Sequence, residues 1–165
     1  MINSGKVKVT WGPEDYRDLS WRKQPIMESE ISTWRDQGYY HQSFSGYMYD
    51  SKNPMPEFVE GVGQEIGLHS CGYVIYRMDT LDIMPTHVDH FETYMKVFNQ
   101  PRDNIVRALV LLEDWKPGHY LEVDGTGHTN WKAGDYWLWS ADVPHAASNI
   151  GRLPRYTLQI TGVYT

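Results

Sequence analysis

The chain has 165 residues, with 41% hydrophobic and 22% charged side chains, which fits one folded domain with a real core and excludes a disordered polar tract. A formal net charge of −6 argues against a general nucleic-acid or anionic-membrane binder, whose footprint is usually basic. One cysteine, Cys71, forbids an internal disulfide, and no signal peptide or membrane-length apolar run is visible, so a cytoplasmic location is expected.

In chain order, Lys6 to Trp11 alternates charged and apolar residues and predicts an edge strand, broken at Gly12-Pro13. Pro25 to Gln37 predicts a helix, with Ile31 and Trp34 on its buried face and Gly38 past its end. Tyr39 to Asp50 carries Tyr39, Tyr40, His41, Phe44, Tyr47 and Tyr49. It reads as a strand or a lid loop, serving either as a substrate lip or as ordinary packing. Asn53-Pro54 opens a second helix, where Met55, Phe58, Val59, Val62 and Ile66 form one apolar stripe and Gly67 is the C-cap. Gly61 and Gly63 weaken that helix and allow close approach to a sheet.

From Tyr73 onward the pattern is short strands and turns. The expected strands are 73–78, 84–89, 105–112, 119–123, 128–131, 135–139, 145–149 and 155–164. Asp124-Gly125-Thr126-Gly127 is a hairpin signal and Lys132-Ala133-Gly134-Asp135 another turn. Strands in this number, with helices before them, predict a mainly β fold. The expected architecture is a double-stranded β-helix, a cupin-like jelly roll with N-terminal helices, in one domain spanning 1–165. Residues 1–70 are expected to supply helical support and a lip, and 71–165 the jelly-roll core. The seven Trp and twelve Tyr suit a β-rich core better than a stacking surface for sugars or bases.

Chemistry concentrates at Pro85-Thr86-His87-Val88-Asp89-His90-Phe91. In a strand His87 and Asp89 project to one side, and an imidazole beside a carboxylate is two-thirds of a facial metal site. His145, after Pro144, is the obvious third ligand, and such a set with open positions implies Fe(II). His90 is adjacent to Asp89 and should face away. In the last strand, if Arg155 points inward then Thr157, Gln159 and Thr161 do too, while Tyr156, Leu158 and Ile160 face the helices. A polar lumen of this kind needs helices over its outer face.

The ordered set His87-x-Asp89, Pro144-His145 and Arg155-x-Thr157, with Arg155 ten residues after His145, resembles the Fe(II)- and 2-oxoglutarate-dependent oxygenases, in their prolyl-hydroxylase-like branch. Arg107 to Trp115 is similar to that branch's central strand and turn. The likeness runs from about Tyr73 to the C-terminus. It implies that His87, Asp89 and His145 hold Fe(II). It also implies that Arg155 and Thr157 hold the distal carboxylate of 2-oxoglutarate, and that Tyr76 reaches the same cosubstrate. The alternative for Tyr76 is a buried sheet tyrosine. The implied reaction uses O2, hydroxylates an unactivated C–H bond of a peptide residue or small molecule, and releases succinate and CO2; ascorbate is a candidate reductant. The family often has glycine where His119 stands, so a narrowed or decorated substrate entrance is expected. The acidic balance favours a cationic or neutral substrate. Two rival readings share parts of this pattern. One is a cupin-like metalloprotein without an oxo-acid cosubstrate, which would not need Arg155. The other is a non-catalytic, aromatic-rich β-sandwich binding module.

Overall fold

A computed structural model describes residues 1–40 and 43–164. His41, part of the aromatic lip segment, lies outside the described residues. Two sheets face each other. The larger orders its strands β1 (Ile2–Lys6), β10 (Asp135–Ser140), β7 (Ile105–Leu111), β12 (Arg155–Tyr164), β5 (Leu68–Met78), β4 (Tyr47–Asp50) and β2 (Arg22–Lys23). The smaller orders β3 (Ser43–Phe44), β6 (Asp82–His87), β11 (His145–Asn149), β8 (His119–Val123) and β9 (Thr126–His128). Among the described residues three α-helices accompany them: α1 (Glu28–Asp36), α2 (Phe58–Ile66) and α3 (Glu92–Phe98). This is the expected mainly β, double-sheet architecture with helical backing.

Alternation within β12 decides what faces what. Tyr156, Leu158 and Ile160 point outward into a core shared with Phe58, Val59, Val62 and Ile66 of α2 and with Trp11 and Tyr16. Arg155, Thr157 and Gln159 point between the sheets. The same switch runs through β7, where Ala108 and Val110 join the outer core and Leu109 and Leu111 the inner one. Burying an apolar face outside the sheet frees its inner face for polar work, and α2 with the first 21 residues makes this affordable. The inner face is not wholly polar: Leu109, Leu111, Leu121, Val123, Trp131 and Trp139 close one end.

Several boundaries differ from the sequence expectation. The first strand ends at Lys6, because its partner β10 begins at Asp135 and the register pairs those two residues. Val7 and Trp11 instead plug the outer core, with the Trp11 indole donating to the Leu112 carbonyl at 3.0 Å. The first helix starts at Glu28 rather than Pro25, since the Gln24 N–H is tied to the Gly46 carbonyl at 3.0 Å. Trp34 is buried in α1 and Ile31 half-buried. The second helix starts at Phe58, and the Pro54 carbonyl accepts from the Tyr49 hydroxyl at 2.8 Å. Its C-cap is Gly67 as expected, at φ 85°. Gly63 sits against Tyr73 and Cys71 of β5, the close approach the sequence allowed, whereas Gly61 faces open space. The strand expected at 128–131 lies at Thr126–His128, because β8 turns over in only two residues, Asp124 at φ 51° and Gly125 at φ 74°. No helix among the described residues is long and apolar enough to cross a membrane.

The aromatic segment is mostly packing. Phe44 is buried against Trp34, with ring centroids 5.0 Å apart, and Tyr49 is buried in the outer core. Tyr47 takes Arg77 over its ring face at 4.5 Å. Tyr40 stays exposed.

Candidate metal centre

β6 and β11 pair antiparallel, and their register sets His87 directly opposite His145. The two imidazole centroids are 4.3 Å apart. Asp89 lies just beyond the end of β6, so strand alternation alone does not deliver it. Arg107 of β7 holds it instead, with Nε and Nη2 each 3.3 Å from one Asp89 oxygen, and Arg102 donates to the Asp89 main-chain carbonyl at 3.2 Å. His145 Nε2 stands 3.7 Å from Asp89 Oδ2. One ligand atom from each of His87, Asp89 and His145 falls within 4.8 Å of the others, so the three can hold a metal ion.

The ring tautomers are set by the backbone. His87 Nδ1 meets the Pro85 carbonyl at 2.8 Å, and His145 Nδ1 meets the Val143 carbonyl at 3.0 Å. A carbonyl only accepts, so both Nδ1 atoms carry the proton and both Nε2 lone pairs are left for the ion. Each histidine thus uses the same local device, a carbonyl two residues upstream. Burial pushes His145 down to about 4, a shift that nearby Asp89 opposes without reversing. Burial acts to raise Asp89, but the Arg107 charge and then His145 outweigh it and hold the carboxyl at about 2. At neutral pH the set is therefore neutral at His145 and anionic at Asp89, the states a divalent cation requires.

Around these ligands is a cavity of about 90 Å³, lined also by Gln24, Tyr76, Leu121, Trp139, Arg155 and Thr157. Arg155 is 4% exposed. Its Nη1 donates only to the Met78 sulfur at 3.3 Å, and its Nε and Nη2 have no partner among the described residues. Its guanidinium lies 5.4 Å from the Trp131 ring centre. Burial lowers Arg155 to about 10, which leaves it charged at neutral pH. The Trp139 indole N–H, beside His145, is likewise unpaired. The orphaned polar atoms on this wall are all donors, so the cavity is built to receive an oxygen-rich, anionic group.

Of the residues expected from the sequence, His87, Asp89, His145, Arg155, Thr157 and Tyr76 all line this one cavity. Tyr76 is more engaged than expected: its hydroxyl donates to Gln24 Oε1 at 2.6 Å and accepts from the Gly46 N–H at 2.5 Å. His90 points away and lies 3.9 Å from Glu30 of α1. His119 does not narrow an entrance. It is buried, with Nε2 at 2.9 Å from the Leu153 carbonyl, and so pins the loop before β12. Among the polar groups of the cavity, Arg107, Gln24 and the Trp139 indole were not foreseen. Arg107 could have been suspected, as a charge interrupting the apolar run of a central strand. Gln24 gave no local signal, because only the β2–β4 pairing brings it over the cavity.

No protein-family model matches the chain, and no curated protein matches it. Among solved structures it is similar to a prolyl-4-hydroxylase of Pseudomonas putida, with a TM-score of 0.53 and 18% identity over 92% of this chain and 96% of that one. The fold is a double-stranded β-helix. A cupin domain from an XRE-family transcriptional regulator of Enterobacter cloacae gives 0.45 and 11% identity over 72% of this chain and 96% of that one. A cupin protein of Bacteroides fragilis gives 0.44 and 11% identity over 88% and 86%. In this double-stranded β-helix the candidate metal ligands and the buried Arg155 line one cavity between the sheets.

Proposed function

We propose that the protein is an Fe(II)- and 2-oxoglutarate-dependent dioxygenase that hydroxylates an unactivated C–H bond of a peptide residue or small molecule. The observation that carries this reading is Arg155, a buried guanidinium with two unpaired N–H groups, in the cavity that holds the His87, Asp89, His145 set. A metal centre alone has no use for such a cation, whereas a dicarboxylate that chelates the metal at one end needs it at the other. This favours the oxo-acid reading over a cupin-like metalloprotein that dispenses with a cosubstrate.

When bound, Fe(II) with 2-oxoglutarate supplies the oxidant: one O2 is consumed, the oxo acid becomes succinate and CO2, and the substrate C–H becomes C–OH. The chain's own residues do the rest. His87 and His145 present their Nε2 lone pairs and Asp89 its charge, and three ligands leave open positions. Arg155 forks onto the distal carboxylate and Thr157 adds a hydroxyl donor beside it. Leu121, Met84 and Trp139 close the cavity wall against bulk water, which strengthens each of these contacts.

The test is succinate release by the purified protein, assayed against a panel of peptides and amino acids. Release should require Fe(II) and O2 and should fall at least about 100-fold in His87→Ala and in His145→Ala, each of which removes a ligand. No succinate above the metal-free control, with any member of the panel, would count against the assignment.

A further inference from the structure

A second, wider groove of about 590 Å³ abuts the metal cavity, and the two share Gln24 and Arg107 as walls. Tyr73, Phe91, Tyr94, Phe98, Met27 and Met48 supply apolar surface to it, among charged and polar side chains. Arg107 stands between the two spaces. One edge of its guanidinium is spent on Asp89, and the Phe91 ring fixes its plane from 5.2 Å. Its remaining nitrogen, Nη1, has no hydrogen bond to a described residue.

The charge around these joined spaces runs against that of the whole chain. The protein carries −6. Yet the charged side chains lining the groove and cavity are four cations, Arg22, Lys52, Arg107 and Arg155, against three acids, Asp50, Asp89 and Glu92. Arg22 cancels Asp50 at 2.5 Å. In the loaded site the divalent metal and the dianionic cosubstrate cancel each other, and the excess positive charge persists. Arg155 is then spent on the cosubstrate, while the metal draws on the Asp89 charge that Arg107 otherwise answers. Of the cations lining the groove, Arg22 is paired with Asp50 and Lys52 is exposed; Arg107 is the one that also borders the metal cavity.

We propose that the primary substrate carries a carboxylate, and that Arg107 binds it in the groove so that the neighbouring C–H reaches the metal centre. This rests on the oxygenase reading above and names the substrate class of the same site. The balance of the chain as a whole points to a cationic or neutral substrate, but salt screens distant charges, and a ligand in the groove responds mainly to the charges that line it.

The experiment compares N-acetyl amino acids with their carboxamides, pairs identical except for the charge. Each is added to protein loaded with Mn(II) and 2-oxoglutarate without O2, and read by thermal shift; succinate release is then read with Fe(II) and O2. At least one free acid should act at about a tenfold lower concentration than its amide, the size of one charge-assisted contact. In Arg107→Gln that ratio should collapse toward one, and in Arg107→Lys it should partly survive. Because the ratio is taken within each variant, a general loss of metal affinity does not imitate its collapse. Should Mn(II) and 2-oxoglutarate stabilise the protein while no free acid outperforms its amide, the carboxylate assignment is overturned and the oxygenase reading stands. Should neither Mn(II) nor 2-oxoglutarate bind, the oxygenase reading fails and this one with it.

Discussion

Arg155 is the residue whose surroundings are hardest to explain without a ligand. A buried charge without a paired anion costs stability, and replacing it with an apolar side chain of similar length is often neutral or stabilising. Arg155→Met should therefore leave the unfolding midpoint of the metal-free protein unchanged or higher, and should abolish the stabilisation given by 2-oxoglutarate. A large drop in the midpoint would mean that Arg155 is structural. His145 makes a second prediction, through pH. Its folded value near 4 lies below its ordinary 6.5, so the unfolded chain takes up a proton that the fold excludes. The contribution is full above pH 6.5 and is lost as pH falls toward 4. Metal-free protein should thus lose up to about 1.4 kcal/mol per pH unit across that window, measured by urea unfolding. Asp89, held near 2 against an ordinary 3.8, deepens the loss only at lower pH. His145→Asn should remove the upper part of the slope.

At the scale of elements, what the sequence made legible was whatever depends on period two. β12 and β11 begin and end where the alternation of Arg155 to Tyr164 and the Pro144-His145 start placed them. His87 and His145 could be matched as candidate ligands for the same reason, each lying on a strand whose neighbours fix its direction. Asp89 was found by spacing but for an incomplete reason, since Arg107 rather than the strand holds it in place. Residues that act across long separations were not legible. Gln24 reaches the cavity only because β2 joins the far edge of the larger sheet. Asn149, fully buried at the end of β11, is another: its Nδ2 donates to the Met78 and Leu153 carbonyls, each at 2.9 Å, and its Oδ1 accepts from the Gly151 N–H at 2.9 Å. It thereby ties the ends of β5 and β11 to the loop that delivers Arg155. Asn149→Ala removes three hydrogen bonds, of which the Leu153 carbonyl keeps its contact to His119, and should cost about 1–3 kcal/mol in denaturant unfolding, with weakened 2-oxoglutarate binding. A change below about 0.5 kcal/mol would remove that role.

For the whole molecule, the design is a division of labour between two faces of one sheet. The outer face of the larger sheet spends its apolar residues on α2 and the N-terminal segment, and its inner face turns Arg107 and Arg155 toward the cavity, across which the smaller sheet presents the candidate ligands His87 and His145. The strands that build the outer core thus also carry Arg107 and Arg155 on their other face, while the candidate histidine ligands come from the facing sheet. Ile160→Ala, fully buried on the outer face, should cost about 2–5 kcal/mol while leaving metal stoichiometry unchanged in the folded fraction.

The most direct measurement is an anaerobic calorimetric titration of 2-oxoglutarate into the protein, with and without Fe(II). One molecule of 2-oxoglutarate per chain should bind in the presence of Fe(II), with much weaker binding in its absence, and the gain should vanish in His145→Ala. No Fe(II) binding by the wild-type chain, or 2-oxoglutarate binding that is indifferent to the metal, would contradict a centre formed by His87, Asp89 and His145.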